Sequence, residues 1–202
     1  MLPSLEKAET DGRRARAVRT RGAIVGALLD LVREGNLAPT AKEIAVRAGV
    51  AIRSIGQHFP SREKLFFAAA AEHARRSAGV AKKPPSIGRV EERIERFVDA
   101  RATELEETSA LRRAASVITR SPTVAKAMAR AAEERRKAVA AVFAAEIKDD
   151  AVTLDALEIA TGGRAWDQMR VEMKLSLAQA KRVMARAVTA LLSASPTAAA
   201  RR

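Results

Sequence analysis

The chain has 202 residues, of which 48% are hydrophobic and 3% aromatic, and its formal net charge is +13. It contains no cysteine, which excludes disulfides, zinc–thiolate sites and cysteine nucleophiles. No apolar run approaches the roughly 20 residues that span a bilayer, and the first residues lack the apolar segment of a signal peptide, so we expect a cytoplasmic protein without a membrane partner. The basic charge favours nucleic acid as the first partner class and an anionic membrane surface as the second.

Alanine supplies much of the hydrophobic content, and the apolar residues recur at helical spacing along most of the chain. The prolines fall between these periodic segments or near the ends, where they do not interrupt a helix. Together these patterns predict an all-α protein of about nine helices.

Residues 1–18 form a predicted arm without regular structure, because a short polar stretch is interrupted by Pro3 and Gly12. A basic arm of this kind can follow DNA phosphates or enter the minor groove, and it can equally be a solubilising tail. No acidic residue appears between its arginines and Asp30. The arginines at its end and just beyond are Arg13, Arg14, Arg16, Arg19 and Arg21.

The first predicted helix covers about residues 20–33, and a glycine follows it. A second helix begins at Thr40, since Thr40 and Glu43 have the spacing of a capping box. Gly49 ends that helix, where a left-handed residue is needed. Ile55 and Phe59, four residues apart, form the inner face of a third helix. The pattern predicts a helix-turn-helix.

The exposed face of this third helix carries side chains that donate hydrogen bonds, and none is acidic. They are Arg53, Ser54, Gln57 and His58. Such a helix suits the major groove of DNA, where base edges present acceptors. The alternative is a helical hairpin whose polar residues only face water.

The segment from about residue 19 to residue 67 resembles the DNA-binding domain of the tetracycline-repressor (TetR) family of bacterial transcription regulators. The resemblance implies that Arg53, Ser54, Gln57 and His58 contact bases from the recognition helix, which Ala51 opens. It also implies phosphate contacts from four further side chains, which are Thr40, Lys42, Arg62 and Lys64. The matching pieces are Ile24–Val32, Glu34-Gly35, Pro39-Thr40, Ile44-Ala45, Ala48-Gly49-Val50, Ser54-Ile55, His58-Phe59 and Ser61 to Phe66.

Two residues of the recognition helix depart from the family pattern. The family usually has a serine where this chain has Ala51, and a tyrosine that contacts phosphate where it has Gly56. Glycine inside a helix costs roughly 1 kcal/mol relative to alanine. We therefore expect a less stable recognition helix with one fewer contact to the DNA backbone.

The rest of the chain, residues 68–193, is predicted to be a helical domain, and residues 194–202 a tail without regular structure. The resemblance implies ligand binding and dimerisation for this domain, with the two C-terminal helices pairing with those of a second copy; an ordinary monomer core is the alternative. Gly162-Gly163 predicts a kink or a close helix contact. The predicted helices cover about residues 61–78, 90–107, 109–118, 121–147, 152–174 and 176–193, with a linker at 79–88.

Apolar residues of the central helices are the candidates for a pocket that binds a small-molecule effector, and each can equally be plain core. An aromatic-poor lining suits an aliphatic or a modest-sized ligand. The candidates are Phe97, Ile118, Met128, Phe143 and Trp166.

The sequence contains no arrangement that predicts an active site, a cofactor or a metal site. Its two histidines, His58 and His73, lie on different predicted helices, and no catalytic or phosphate-binding motif accompanies them. The leading hypothesis is a non-enzymatic, homodimeric regulator that binds double-stranded DNA, most often a repressor in this family, and that a small molecule releases. The alternatives are a sequence-tolerant DNA-binding protein and a basic helical protein acting at membrane surfaces or on partner proteins.

Overall fold

A computed structural model describes residues 3–77, 86–118, 122–148 and 150–194; for residues 3–11, 77, 118, 123, 124, 127 and 128 it describes the backbone only. The all-α prediction is confirmed, and the described residues contain no strand. None of their helices is long and apolar enough to cross a membrane. The elements are α1 (Pro3–Arg33), α2 (Ala41–Ala48), α3 (Ile52–His58), α4 (Arg62–Ser77), α5 (Val90–Ile118), α6 (Pro122–Val142), α7 (Ala144–Ile147), α8 (Ala151–Ala160), α9 (Gly163–Asp167), a π-helical segment (Gln168–Glu172) and α10 (Leu177–Ala194).

The chain divides into two compact units. The first contains Met1–Ala78 and Ala110–Ser121, so α4 belongs wholly to it, together with the end of α5. Its core forms where the apolar stripe of α1 packs on the inner faces of the next three helices. Buried side chains from these helices include Ile24, Leu28, Val32, Ile44, Ile55, Phe59 and Leu65.

Helix α1 is longer than the sequence analysis predicted. The N-terminal arm, expected to lack regular structure, is helical from Pro3, and the helix continues through the predicted start near residue 20. The physical reason is composition, because residues 4–19 are mostly Leu, Glu, Lys, Ala and Arg, which are strong helix formers. Pro3 occupies the first helical position, where its missing N–H does no harm. Gly12 lies inside the helix without breaking it.

Helix α5 is also continuous where two helices were predicted to meet near Thr108 and Ser109. Instead of capping a new helix, the Thr108 hydroxyl donates to the Glu104 carbonyl one turn earlier, at 2.7 Å. A threonine bonded in this way is compatible with a helix interior. The following predicted helix, residues 121–147, is in contrast divided into α6 and the short α7.

The second unit contains Gly79–Ser109 and Pro122–Arg202. Its largest fully buried side chains are Trp166, Phe143 and Leu157, and the inner face of α10 packs on the same core. Arg93 is buried beside them, with 6% of its side chain exposed, and it forms an ion pair with Glu146. Because a buried guanidinium needs both charge and hydrogen-bond partners, this pair fixes α5 against α7.

The predicted kink at Gly162-Gly163 is present, since α8 ends at Ala160 and α9 begins at Gly163. A side chain at position 162 would place its Cβ 2.9 Å from the Glu158 carbonyl oxygen, so glycine is required there. Beyond the kink, the Trp166 indole donates to Glu106 at 2.8 Å. Arg170 donates two hydrogen bonds to the same Glu106 carboxylate. These bonds, and to a smaller extent the bond from the Trp166 indole, hold the pKa of Glu106 below its usual range.

Two predicted segments lie mostly outside the described residues. The linker predicted at residues 79–88 is described only from residue 86 onwards, where the chain is not helical. The tail predicted at residues 194–202 is described only at residue 194, the last residue of α10.

Candidate nucleic-acid interface

Helix α2 begins with a complete capping box. The Glu43 backbone N–H donates to the Thr40 hydroxyl at 3.2 Å, and the Thr40 backbone N–H donates to the Glu43 carboxylate at 2.7 Å. The pKa of Glu43 is lowered most by the bond from the Thr40 backbone N–H. The bonds from the Thr40 hydroxyl and from the Asn36 amide lower it further. The Thr40 hydroxyl also donates to Glu43, so its proton is already engaged within the protein. Lys42, on the first turn, is exposed.

Gly49 forms the turn between α2 and α3. Its φ of 66° lies in the left-handed region, which glycine adopts without steric cost. The Gly49 N–H donates to the Val46 carbonyl and the Val50 N–H to the Ala45 carbonyl, so the last carbonyl groups of α2 are satisfied. The turn brings α3 against α2, and Ile55 of α3 joins the shared core.

Helix α3 is held at its C-terminal end by a residue from α1. The Arg21 guanidinium donates to the His58 carbonyl oxygen at 2.9 Å and lies over the Phe59 ring, 4.2 Å from its centre. Phe59 itself is buried, and its N–H donates to the Ile55 carbonyl. These contacts fix the direction of a helix of only seven residues.

At its N-terminal end α3 lacks such support. Ala51 occupies the capping position in an extended conformation and makes no side-chain hydrogen bond. An N-cap serine contributes roughly 0.5–2 kcal/mol relative to alanine. Ala51 therefore leaves the cap at the start of the helix unfilled, a loss of stability that adds to the one expected from Gly56.

The exposed side of α3 carries Arg53 and Gln57, whose side chains have no hydrogen-bond partner among the described residues. Ser54 and His58 are half-buried, which turns them away from the centre of that side. The structure therefore brings together the four donors predicted for base contact but presents two of them more fully. Ala51 is exposed at the edge.

The beginning of α4 lies beside this face. Arg62 donates to the Pro39 carbonyl at 2.9 Å and so ties α4 to the loop before α2. A guanidinium has five N–H donors, so this bond leaves others for a phosphate. Lys64 is exposed, and its backbone N–H donates to the Ser61 hydroxyl at 3.2 Å.

A surface ion pair supports the arrangement of α1 and α2. Both Arg47 nitrogens lie 2.7 Å from the Glu34 carboxylate, a two-pronged geometry that lowers the pKa of Glu34. The pair neutralises one arginine of α2, so the cation that α2 leaves for DNA is Lys42, beside those on α1, α3 and α4. The exposed arginines of α1 before Arg21 include Arg14, Arg16 and Arg19.

A family model described as bacterial regulatory proteins, tetR family, matches residues 24–69, which span the helices just described. These residues therefore form an N-terminal domain of the TetR type. The crystal structure of a transcriptional regulator from Rhodococcus sp. Rha1 has a similar fold, with a TM-score of 0.68 over 86% of this chain and 96% of the other, at 17% sequence identity. No curated protein matches the chain.

Three of the five effector candidates have described side chains, and these three lie in the core of the second unit. Phe97, Phe143 and Trp166 are 4%, 0% and 0% exposed, and the first two rings pack edge to face with centres 5.2 Å apart. The side chains of Ile118 and Met128 lie outside the described residues.

A cleft of about 740 Å³ lies between α5 and α10 in the same unit, and its described lining does not include Phe97, Phe143 or Trp166. Its apolar lining includes Val90, Ile94 and Val98, one turn apart along α5, and a row of carboxylates borders them. These carboxylates are Glu91, Glu95 and Asp99, and their spacing of four residues is visible in the sequence. Only the packing shows that the row faces α10.

Proposed function

We propose that this protein is a repressor that binds operator DNA as a homodimer and is released by a small molecule. The observation that carries the DNA-binding part is the exposed face of α3. Arg53 and Gln57 stand on it without partners among the described residues, while Arg21 holds the end of the helix from α1. A short helix fixed in this way can present donors to the acceptors of the major groove.

The homodimer is supported by apolar side chains left on the surface of the C-terminal helices. Val152 and Ile159, two turns apart on α8, are 78% and 75% exposed, and Val183 on α10 is 48% exposed. Val152 and Ile159 lie on the same side of α8, and large apolar side chains exposed on one side of a helix are typical of an interaction site. Two copies related by a twofold axis would supply two recognition helices, and a single one binds weakly.

The effector site is supported by the cleft between α5 and α10. Its volume is in the range of small-molecule sites, and it combines an apolar lining with charged groups at its border. A ligand there acts on DNA binding only to the extent that it has different affinities for the DNA-bound and released states.

The test of the DNA-binding proposal compares duplex DNA from the protein's own upstream region with random duplex of equal length at physiological salt. We expect a preference of about 10³ or more, the lower range of specific regulators. The Arg53→Ala variant should lose this preference. Arg164→Ala, which removes an exposed arginine from α9, is the matched control and should keep it.

The dimer is tested by measuring the mass in solution of an Ile159→Asp variant. A monomer is expected, because a carboxylate cannot be buried in an apolar interface without a partner. Ile87→Asp is the matched control, since Ile87 is 88% exposed and lies outside the helices. A dimeric Ile159→Asp protein would exclude this surface.

A second candidate function is sequence-tolerant DNA binding. The unfilled cap at Ala51 and the missing side chain at Gly56 favour it, because both reduce the order and the contacts of the recognition helix. Equal and steeply salt-dependent binding to both duplexes in the first experiment would select this function over the repressor.

A further inference from the structure

Four residues of α3 are exposed, and they differ in chemistry and position: Ile52, Arg53, Gly56 and Gln57. Successive residues are rotated by about 100° around a helix. Arg53 and Gly56 therefore lie at the centre of the exposed side, with Ile52 on one flank and Gln57 on the other. The hydrogen-bonding groups occupy the centre and one flank, and the other flank is apolar.

Ile52 is a large apolar side chain that the fold leaves in water. It is 54% exposed, whereas Ile55, three residues later, is 8% exposed and packs in the core. Isoleucine is β-branched and slightly unfavourable in a helix, so helix stability does not account for it in a seven-residue element. Its surface is available to a ligand of the helix.

Gly56 lowers the helix surface beside Ile52. A Cβ built at position 56 would meet no atom within 4 Å, so the space there is open on the protein side. Since Ile52 and Gly56 are one turn apart, the isoleucine projects next to a bare stretch of backbone. A base edge can approach the flank of Ile52 without a neighbouring side chain in the way.

We propose that Ile52 is a specificity-determining residue that packs on the C5-methyl group of a thymine in each operator half-site. This inference rests on the proposed insertion of α3 into the major groove. The thymine methyl is the apolar group that base pairs display there, and aliphatic side chains contact it. Because Arg53 follows directly and a guanidinium pairs with the O6 and N7 atoms of guanine, the half-site should contain a thymine close to a guanine.

Val46 provides a matched control. It is also a large apolar side chain, 75% exposed, but it lies on α2. In a helix-turn-helix the first helix crosses the DNA backbone rather than reading base edges. Truncating Val46 removes similar apolar surface without removing a contact to a thymine methyl.

The experiment uses the full chain and a duplex enriched by the protein from a random library. Each thymine is replaced in turn by deoxyuridine, which differs only by the missing methyl group. One replacement in a single half-site should weaken wild-type binding about fourfold, the loss expected for one buried methyl group. In the Ile52→Ala variant the same replacement should cost less than about twofold, whereas in Val46→Ala it should still cost about fourfold.

The inference is overturned if no thymine shows a deoxyuridine penalty, or if the penalty is undiminished in Ile52→Ala. Folding is not at risk in this variant, because the side chain is exposed and alanine favours the helix. A different result would refute the proposed function itself. If the protein enriches no sequence from the library, it does not recognise DNA specifically, and the contact of Ile52 with thymine is refuted as well.

Discussion

Arg21 joins α1 to the end of the recognition helix, and an alanine substitution there isolates the value of that contact. Its guanidinium donates to the His58 carbonyl at 2.9 Å and covers the Phe59 ring at 4.2 Å. Arg19, two residues earlier on the same helix, is exposed and makes no such contact among the described residues. Arg19→Ala removes the same charge from the same turn of α1, on a side of the helix about 200° away, and is the matched control.

The magnitude follows from the two contacts. A hydrogen bond from a guanidinium at an exposed site contributes about 1 kcal/mol, and an exposed cation–π contact about 0.5–1 kcal/mol. Together they stabilise the last turn of α3 by about 1.5–2 kcal/mol. Because the DNA complex needs that turn ordered, Arg21→Ala should bind the enriched duplex about 13- to 30-fold more weakly than Arg19→Ala.

The assay is a fluorescence-anisotropy titration of wild type and both variants at three salt concentrations. Loss of a phosphate contact changes the slope of log K against log salt by about 0.9, and an equal change is expected if both arginines reach phosphates. The additional loss in Arg21→Ala should be the same at every salt concentration, since it arises within the protein. Equal affinities of the two variants at all three concentrations would refute this reasoning.

Three further predictions concern stability. Glu146→Ala leaves the buried Arg93 without its carboxylate and should cost about 3 kcal/mol in urea unfolding, and a loss below about 1 kcal/mol would contradict a buried pair. Gly49→Ala should destabilise the protein by about 1–2 kcal/mol, because the φ of Gly49 is 66°. Gly56→Ala should stabilise it by about 1 kcal/mol, because the added Cβ meets no other atom and alanine favours the helix. If thermal unfolding shifts in the same direction for both variants, this explanation is wrong. Hydrogen bonds from Arg75 and Arg76 lower the pKa of Glu72 from 4.5 to about 2. Its carboxylate therefore stabilises the fold above about pH 4.5 and loses that effect as the pH falls towards 2, so Glu72→Gln should lose less stability than wild type over that range.

The parts of the fold that follow from neighbouring residues could be predicted from the sequence. The capping box at Thr40, the left-handed turn at Gly49 and the inner face formed by Ile55 and Phe59 are each decided within one or two helical turns. The spacing of these signals sufficed to identify the helix-turn-helix. The kink at Gly162 was likewise visible as a glycine pair inside an apolar helix.

The remaining features depend on residues far apart in the chain. The contact of Arg21 with His58 joins residues 37 apart, the pair of Arg93 with Glu146 residues 53 apart, and the indole of Trp166 meets a carboxylate 60 residues away. Helical periodicity predicts whether such a side chain is buried or exposed, but it does not predict which residue the side chain contacts. For the same reason the pocket candidates were chosen by apolarity, which does not distinguish a filled core from the wall of a cleft.

The same limit explains the error at the N-terminus. Pro3 and Gly12 indicated an interruption, yet neither competes with a stretch of strong helix formers. Helix continuity is decided by the sum over a window of residues rather than by single breaking residues. The misplaced break at Thr108 has a similar origin, because a threonine can bond back to its own helix as well as cap a new one.

The first half of α1 has a practical consequence for handling the protein. Residues 12–19 are all exposed, so no tertiary packing adds to the helix propensity of this stretch, and its opening costs little free energy. Trypsin cleaves after arginine and requires a locally opened backbone, and four arginines lie within this stretch. Limited digestion should therefore remove the N-terminal residues first and leave the core of the first unit intact. If bound duplex slows cleavage after these arginines, the cleavage rate measured on a gel would show whether this half of α1 contacts DNA.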